Sequence, residues 1–187
     1  MENIINKAHR WLRLKSGENF LNSEEYCQTR DVFQTRLDKF RLILEQKNNK
    51  PNLIYPLIAV IGEIGNNSFD HNLGQWRDVA GIYFNYNLDK KIIVSADRGQ
   101  GIYASIKKVA PDVKNDLEAL NIAFTKKISG RYPEKRGNGL KFVVSVAKQL
   151  GIDVLLMSGT AGARSNENLM FNEEKENIKG VLTIIKF

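Results

Sequence analysis

The chain has 187 residues, of which 42% are hydrophobic, 26% charged and 9% aromatic. This composition is that of a globular protein, and the length suits one well-cored domain with an appendage rather than two full domains. No apolar run approaches the roughly 20 residues that cross a bilayer, and the first residues lack a secretory-signal pattern. One cysteine, Cys27, excludes an internal disulfide framework. We therefore expect a cytoplasmic protein that does not enter the membrane.

The net charge of +7 and the isoelectric point of about 9.4 raise nucleic acid as a partner. The basic residues are scattered, however, and no aromatic-interleaved single-strand motif or recognition-helix signature is present. Nucleic-acid binding is therefore a secondary expectation. Several cations stand just before a glycine-rich segment, where they could meet phosphates: Lys126, Lys127, Arg131, Lys135 and Arg136.

Two helices are predicted in the N-terminal part of the chain, over about 3–15 and 22–47. The polar tract at 46–51 is the best candidate for a linker. We therefore expect an N-terminal helical arm at 1–50 and one further domain at 51–187. The apolar residues of the arm would dock on that domain or pair with a second copy to form a homodimer. No heptad repeat predicts a coiled coil.

The domain at 51–187 alternates between helical and strand patterns. A helix is predicted over 52–72, an antiparallel hairpin over 79–87 and 91–97, helices after Gly101 and over 114–126 and 139–150, and strands near 152–159 and 180–187 with a polar excursion over 161–179. Gly151 is placed to end the last helix. This order predicts a mixed sheet covered on one face by helices, an α/β sandwich.

The first motif of chemical interest lies on the helix at 52–72. Glu63, Asn67, Asp70 and His71 share one face, opposite an apolar face. The amide oxygen of Asn67 can ligate Mg²⁺, which prefers oxygen ligands and keeps several waters. The carboxylate of Glu63 can orient or deprotonate an attacking water or hydroxyl. The alternative interpretation is a solvated helix face.

The second motif is Asp97, Gly99 and Gly101, directly after a strand. A buried carboxylate at a strand end is a good acceptor for an exocyclic amine such as that of adenine. Glycines there allow the backbone to approach the ring closely. The alternative interpretation is a plain turn with glycines at positive φ.

The third motif is the segment from Gly137 to Leu140, directly before a helix. Backbone N–H groups in a glycine-rich turn at a helix N-terminus form a ready anion site. An ordinary glycine loop is the alternative. The spacing fits neither a Walker motif nor a dinucleotide fingerprint.

In their order and spacing, the three motifs resemble the GHKL superfamily of ATPases. That superfamily includes gyrase B, the heat-shock chaperone of ninety kilodaltons, the mismatch-repair MutL proteins, histidine kinases and the anti-sigma-factor serine kinases. The resemblance covers about residues 52–187. It implies a Bergerat-type ATP-binding fold, which is a two-layer α/β sandwich, with ATP and Mg²⁺ as ligands.

The resemblance also implies a role for individual residues. Asn67 would be the Mg²⁺ ligand, Glu63 the general base and Asp97 the carboxylate that reads adenine. The segment between Phe124 and Gly137 would be the ATP lid, in which Lys127 and Ser129 could also meet phosphates. Other residues expected around the nucleotide are Asp70, His71, Gly99, Gly101, Lys126, Arg131, Gly137, Asn138, Gly139, Leu140 and Thr183. The chain departs from the family pattern in the closing strand, where a threonine often supports adenine binding: Val181 follows Gly180, and Thr183 comes two residues later.

The predicted lid is short, which resembles the kinase and anti-sigma branches. A sensor histidine kinase needs a phosphoacceptor histidine on a dimerising hairpin, and neither His9 nor His71 stands in that context. Three functions stay open. The protein could regulate a separate partner protein as an ATPase or protein kinase, act as an ATP-gated interaction module with little turnover, for example in a toxin–antitoxin or defence pair, or serve as a nucleic-acid-associated ATP clamp.

Overall fold

The computed structural model describes residues 3–48, 51–126 and 138–187. Within these ranges, helices and strands are both present, and the protein is α/β. The elements in chain order are α1 (Ile4–Leu12), β1 (Tyr26–Cys27), α2 (Arg30–Asn48), α3 (Pro51–Asn72), β2 (Ile82–Asn87), β3 (Ile92–Asp97), α4 (Gly101–Lys107), α5 (Asp116–Thr125), α6 (Gly139–Leu150), β4 (Asp153–Ser165) and β5 (Leu169–Lys186). None of the helices in this part of the chain is long and apolar enough to cross a bilayer.

The five strands form one sheet in the order β1-β2-β3-β5-β4. Each neighbouring pair is antiparallel, so the predicted mixed sheet is wrong. The predicted hairpin of β2 and β3 is confirmed. The chain leaves α6 along the outer strand β4 and returns as β5, which places β5 against β3 in the opposite direction. A parallel pair would have required a crossover connection at this point.

The last hairpin is much longer than the sequence predicts. The polar excursion expected over 161–179 is wrong, because β4 and β5 run through most of it as paired strands. Its polarity reflects the solvent-facing residues of β5, such as Glu173, Lys175 and Asn177, which are exposed. The hairpin bends where the register shifts around Gly159, whose φ is +60°. Asp116 of α5 accepts the Thr160 N–H at 2.9 Å and fixes this bend.

Helices lie on both faces of the sheet: α3 and α6 of the expected domain share one face, and α1 of the expected arm covers the other. One face packs against α2, α3 and α6 around Phe33, Leu57 and Val143. The other face packs against α1, whose Trp11 and Leu12 join a second cluster with Tyr83 of β2. The central strands are apolar on both faces, which is the pattern of a doubly covered sheet.

The N-terminal helices are shorter than predicted and belong to these two layers. The helix expected over 22–47 begins only at Arg30, where Thr29 accepts the Val32 N–H at 3.3 Å. The preceding residues include β1, in which Cys27 is fully buried. Burial raises the pKa of the Cys27 thiol to about 11. The proposed linker contains residues 49–50, which lie outside the described ranges.

Candidate functional site

The second half of α3 directs polar side chains towards different neighbours. Ser68 and Asn72 are buried and face the end of β3. Glu63 lies against the first residue of α6, and His71 lies against α4. This division follows from the 100° advance per residue of a helix, which turns residues four apart to one side. One helix therefore contacts the segments that carry both other motifs.

Asp97 ends β3 and is 1% exposed. Its carboxylate accepts the Ser68 hydroxyl at 2.7 Å, the Asn72 amide at 3.2 Å and the Gly99 N–H at 2.9 Å. Burial raises the pKa of the Asp97 carboxyl from 3.8 to about 6, while these hydrogen bonds and one from the Val181 backbone act in the opposite direction. A carboxyl held at this depth by several donors is positioned in one orientation. We call Asp97, Ser68 and Asn72 the Asp97 end of the site.

The turn after Asp97 is tied back to α3. The Asn72 carboxamide accepts the Gln100 N–H at 3.0 Å while it donates to Asp97, so it bridges the two sides of the turn. A Cβ at Gly99 would overlap this carboxamide, which explains the glycine. The close approach predicted at Gly99 is thus made to Asn72. Gly101 needs its conformational freedom for a φ of +79° at the start of α4.

The third motif meets α3 through Glu63. A Cβ at Gly139 would overlap the Glu63 carboxylate, so this carboxylate lies directly against the first turn of α6. Asn67 donates its amide to Glu63 at 3.2 Å. Asn138 is the N-cap residue of α6, and its side chain caps none of the described N–H groups. A carboxylate beside a helix N-terminus interacts favourably with the helix dipole. We call Glu63, Asn67 and Gly139 the Glu63 end of the site.

Two further residues of the first motif have other neighbours. His71 places Nδ1 3.1 Å from the Ser105 hydroxyl of α4. Asp70 forms an ion pair with Arg30, on the side of α3 that faces α2. The structure therefore brings His71 to the edge of the β3–α4 turn and directs Asp70 towards α2.

Thr183 lies on the same face of the sheet as Asp97. It is paired in register with Ser95 of β3, two residues before Asp97, and alternate residues of a strand share a face. Thr183 is 1% exposed, and its hydroxyl has no hydrogen-bond partner among the residues that the structure describes. A buried hydroxyl without a partner is costly, so this position suits a polar ligand atom or a water.

The segment expected to be the lid, between Phe124 and Gly137, is described only as far as Lys126. Lys126 is exposed at the end of α5. Leu140 is partly buried and packs against the cluster that contains Leu120 and Phe124. The remaining predictions there lie outside the described residues: Lys127, Ser129, Arg131, Lys135, Arg136 and Gly137.

The sequence analysis missed Ser68, Asn72 and Gly180. Ser68 and Asn72 are four residues apart on the buried side of α3, and that spacing was the available signal. Gly180 has a φ of +121°, and a Cβ there would overlap the carbonyl of Asp97. Ser158 donates to the Gly180 carbonyl at 2.8 Å and accepts the Ile102 N–H at 3.0 Å. These contacts hold β5 against the turn that carries the second motif.

The arrangement offers a buried carboxylate acceptor at one end and a carboxylate, a carboxamide and a helix N-terminus at the other. Within the described ranges, no group of three or more His, Cys, Asp or Glu is placed to hold a metal ion. The chain matches no model of a known protein family, and it matches no curated protein.

Proposed function

We propose that this protein binds ATP with Mg²⁺ along α3, with a Bergerat-type fold of the GHKL kind, and uses the nucleotide to regulate a separate partner protein. One observation carries the proposal. A single helix contacts the second motif through Ser68 and Asn72 and the third motif through Glu63, although these motifs are far apart in the sequence. The second and third motifs, each ambiguous alone, thus both contact the helix that carries the first, and this supports a single nucleotide site.

The Asp97 end is suited to bind the adenine base. An ionised carboxylate there would accept the exocyclic amine of the base, and the Thr183 hydroxyl would supply a second polar group on the same face of the sheet. Asp97 is 1% exposed, so entry of a base requires movement of the side chains that enclose it. A site built to pair with an amine discriminates strongly against bases that lack it.

The Glu63 end is suited to bind the phosphates and the metal ion. Asn67 would hold Mg²⁺ through its amide oxygen, and phosphates and water would provide the other ligands. Bound Mg²⁺ neutralises phosphate charge. Glu63 would orient or deprotonate the attacking group, and the backbone N–H groups at the start of α6 would meet phosphate oxygens. Because Glu63 already lies against this helix start, a cation is needed to offset repulsion between its carboxylate and the phosphates.

The presence of Glu63 at this position favours turnover over binding alone. ATP hydrolysis or phosphoryl transfer to the partner would both use a carboxylate that orients the attacking oxygen. Release of phosphate from ATP by the wild type and by Glu63→Gln distinguishes turnover from simple binding. Transfer to a partner would appear as label retained on a second protein when radiolabelled ATP is used.

Calorimetric titration of ATP with Mg²⁺ tests the site itself. We expect the wild type to bind, Asp97→Asn to lose about tenfold or more in affinity, and Asn67→Ala to lose the dependence on Mg²⁺. Asp153→Asn is the matched control, because it removes a carboxylate that pairs with Arg164 on β4. Failure of the wild type to bind ATP at millimolar concentration would refute the proposal.

A further inference from the structure

Arg98 stands between two residues of the second motif, and its side chain points to the opposite face of the sheet from Asp97. It is 0% exposed and lies over the Trp11 ring, with 5.6 Å from the guanidinium carbon to the ring centroid. Asp97 is the last residue of β3, and Arg98 follows it directly, so the alternation of faces along a strand accounts for their opposite directions. The same turn therefore has one buried charged side chain on each face of the sheet.

The Arg98 guanidinium is held mainly by backbone carbonyls of one segment. We call residues 13–21, which connect α1 to the residues before β1, the N-terminal strap. Arg98 donates to the carbonyls of Lys15 at 2.9 Å and Glu18 at 2.6 Å, both in the strap. It also forms an ion pair with Asp78, which is almost fully buried.

Neighbouring contacts tie the strap to the same point. Asp78 accepts the Gly17 N–H of the strap at 3.3 Å. Arg77 donates its backbone N–H to the Arg98 carbonyl at 3.1 Å and its side chain to the Leu12 carbonyl at 3.4 Å. The strap, the end of α1 and the turn after β3 thus share one hydrogen-bonded network.

We propose that Arg98 is a positioning residue that couples docking of the N-terminal strap to the geometry of Asp97. The coupling to nucleotide rests on the proposed function. If the strap leaves, the guanidinium loses its carbonyl acceptors, and a buried charge without enough partners must move towards water. Movement of Arg98 shifts Asp97 and Gly99, its neighbours in the chain, and disturbs the Gly99 N–H bond to the Asp97 carboxylate.

The coupling is reciprocal. A nucleotide that binds the ordered Asp97 turn favours the docked strap, and any partner that pulls the strap away lowers nucleotide affinity by the same factor. The N-terminal strap is therefore the segment through which a partner protein can sense the occupied site.

A matched pair of glycine substitutions tests this coupling. Gly17 in the strap has a φ of +81°, Gly151 at the end of α6 has a φ of +66°, and a Cβ added to either meets nothing within 4 Å. Gly17→Ala and Gly151→Ala therefore impose the same kind of backbone strain, but only the first loosens the strap. The readouts are NMR-detected amide exchange at Gly99 and Gln100, and the dissociation constant for ATP with Mg²⁺.

We expect Gly17→Ala to speed exchange at Gly99 and Gln100 and to weaken ATP binding, each by about fivefold. Gly151→Ala should change neither. Equal behaviour of the two variants at Gly99 and Gln100 would overturn the coupling. Failure of the wild type to bind ATP would instead refute the proposed function, and the exchange comparison would still decide the coupling because it needs no nucleotide.

Arg98→Lys provides a second and stronger perturbation. Lysine keeps the positive charge but cannot reach both strap carbonyls and Asp78 with a planar fork. We expect faster exchange in the strap and at Gly99 and Gln100 together, by more than in Gly17→Ala. Faster exchange confined to the strap would contradict the coupling.

Discussion

The two ends of the candidate site are built differently. At the Asp97 end, the carboxyl is 1% exposed and is fixed by side chains that are themselves buried, Ser68 and Asn72. At the Glu63 end, the carboxylate is partly exposed and receives one amide at 3.2 Å from Asn67. The comparison shows that one end belongs to the protein core, whereas the other can change its side-chain arrangement at low cost. Substitutions should therefore affect stability mainly at the first end.

The largest difference in unfolding free energy is expected when a glycine is replaced by alanine at each end of the site. Gly99→Ala places a Cβ into the buried Asn72 carboxamide, whereas Gly139→Ala places one against the end of the Glu63 side chain. Asn72 cannot move without breaking its bonds to Asp97 and Gln100, so Gly99→Ala should cost about 2–3 kcal/mol of unfolding free energy. Glu63 can rotate away, so Gly139→Ala should cost less than about 1 kcal/mol.

Urea denaturation measures both glycine variants. The two substitutions have the same effect on the unfolded chain, so their difference reports the folded environment. Equal losses at the two positions would remove the distinction between a rigid and an adaptable end.

The next largest effect is a pH dependence of folding stability that is specific to the Asp97 end. The folded-state pKa of Asp97 is about 6 against an ordinary 3.8, so the folded protein binds this proton more tightly than the unfolded chain does. The contribution to stability is complete below pH 4 and is lost as pH rises through about 6. The stability of the wild type relative to Asp97→Asn should therefore fall between pH 4 and pH 7.

Urea denaturation of both proteins across this pH range checks the Asp97 prediction. The uncharged asparagine serves as the reference, since it does not titrate. A difference in unfolding free energy that stays constant from pH 4 to pH 7 would contradict the account of a buried carboxyl.

A smaller effect is expected at Thr183. Thr183→Val replaces a buried hydroxyl that has no partner within the described residues by a methyl group of similar size. Stability without nucleotide should be unchanged or should rise by about 1 kcal/mol, because no hydrogen bond is lost. Affinity for ATP should fall if this hydroxyl serves the base. Thermal melting and calorimetry test both statements, and clear destabilisation without nucleotide would show that the hydroxyl has a structural partner.

Only a small loss of stability is expected for Glu63→Gln. The substitution removes a favourable interaction with the start of α6, which is worth about 0.3–1 kcal/mol. Phosphate release should nevertheless fall by about 10²-fold or more, because the substitution removes the proposed general base. An undiminished rate of phosphate release would exclude Glu63 as the base, whatever the effect on stability.

Local patterns predicted several parts of the fold and site. The helix that carries Glu63, the hairpin that ends at Asp97 and the left-handed glycine at 151 follow from helical spacing, strand composition and glycine chemistry. These features depend on residues near each other in the chain. The residues near each of these features are therefore enough to predict it.

The features that the sequence analysis missed depend on distant residues. The bend of β4 at Gly159 is set by Asp116 of α5, and the position of α1 depends on both faces of the central strands being apolar. Asn72 and Arg98 make their contacts only when the β3–α4 turn meets α3 on one face and the N-terminal strap on the other. No local spacing encodes these contacts.

The most direct test of the central claim is amide hydrogen exchange of the wild type with and without ATP and Mg²⁺. The account holds that three separated motifs form one nucleotide site. It predicts that the nucleotide slows exchange together in the segments 63–72, 97–101 and 138–141. Bound nucleotide that protects other parts of the chain and leaves these three segments unchanged would contradict it.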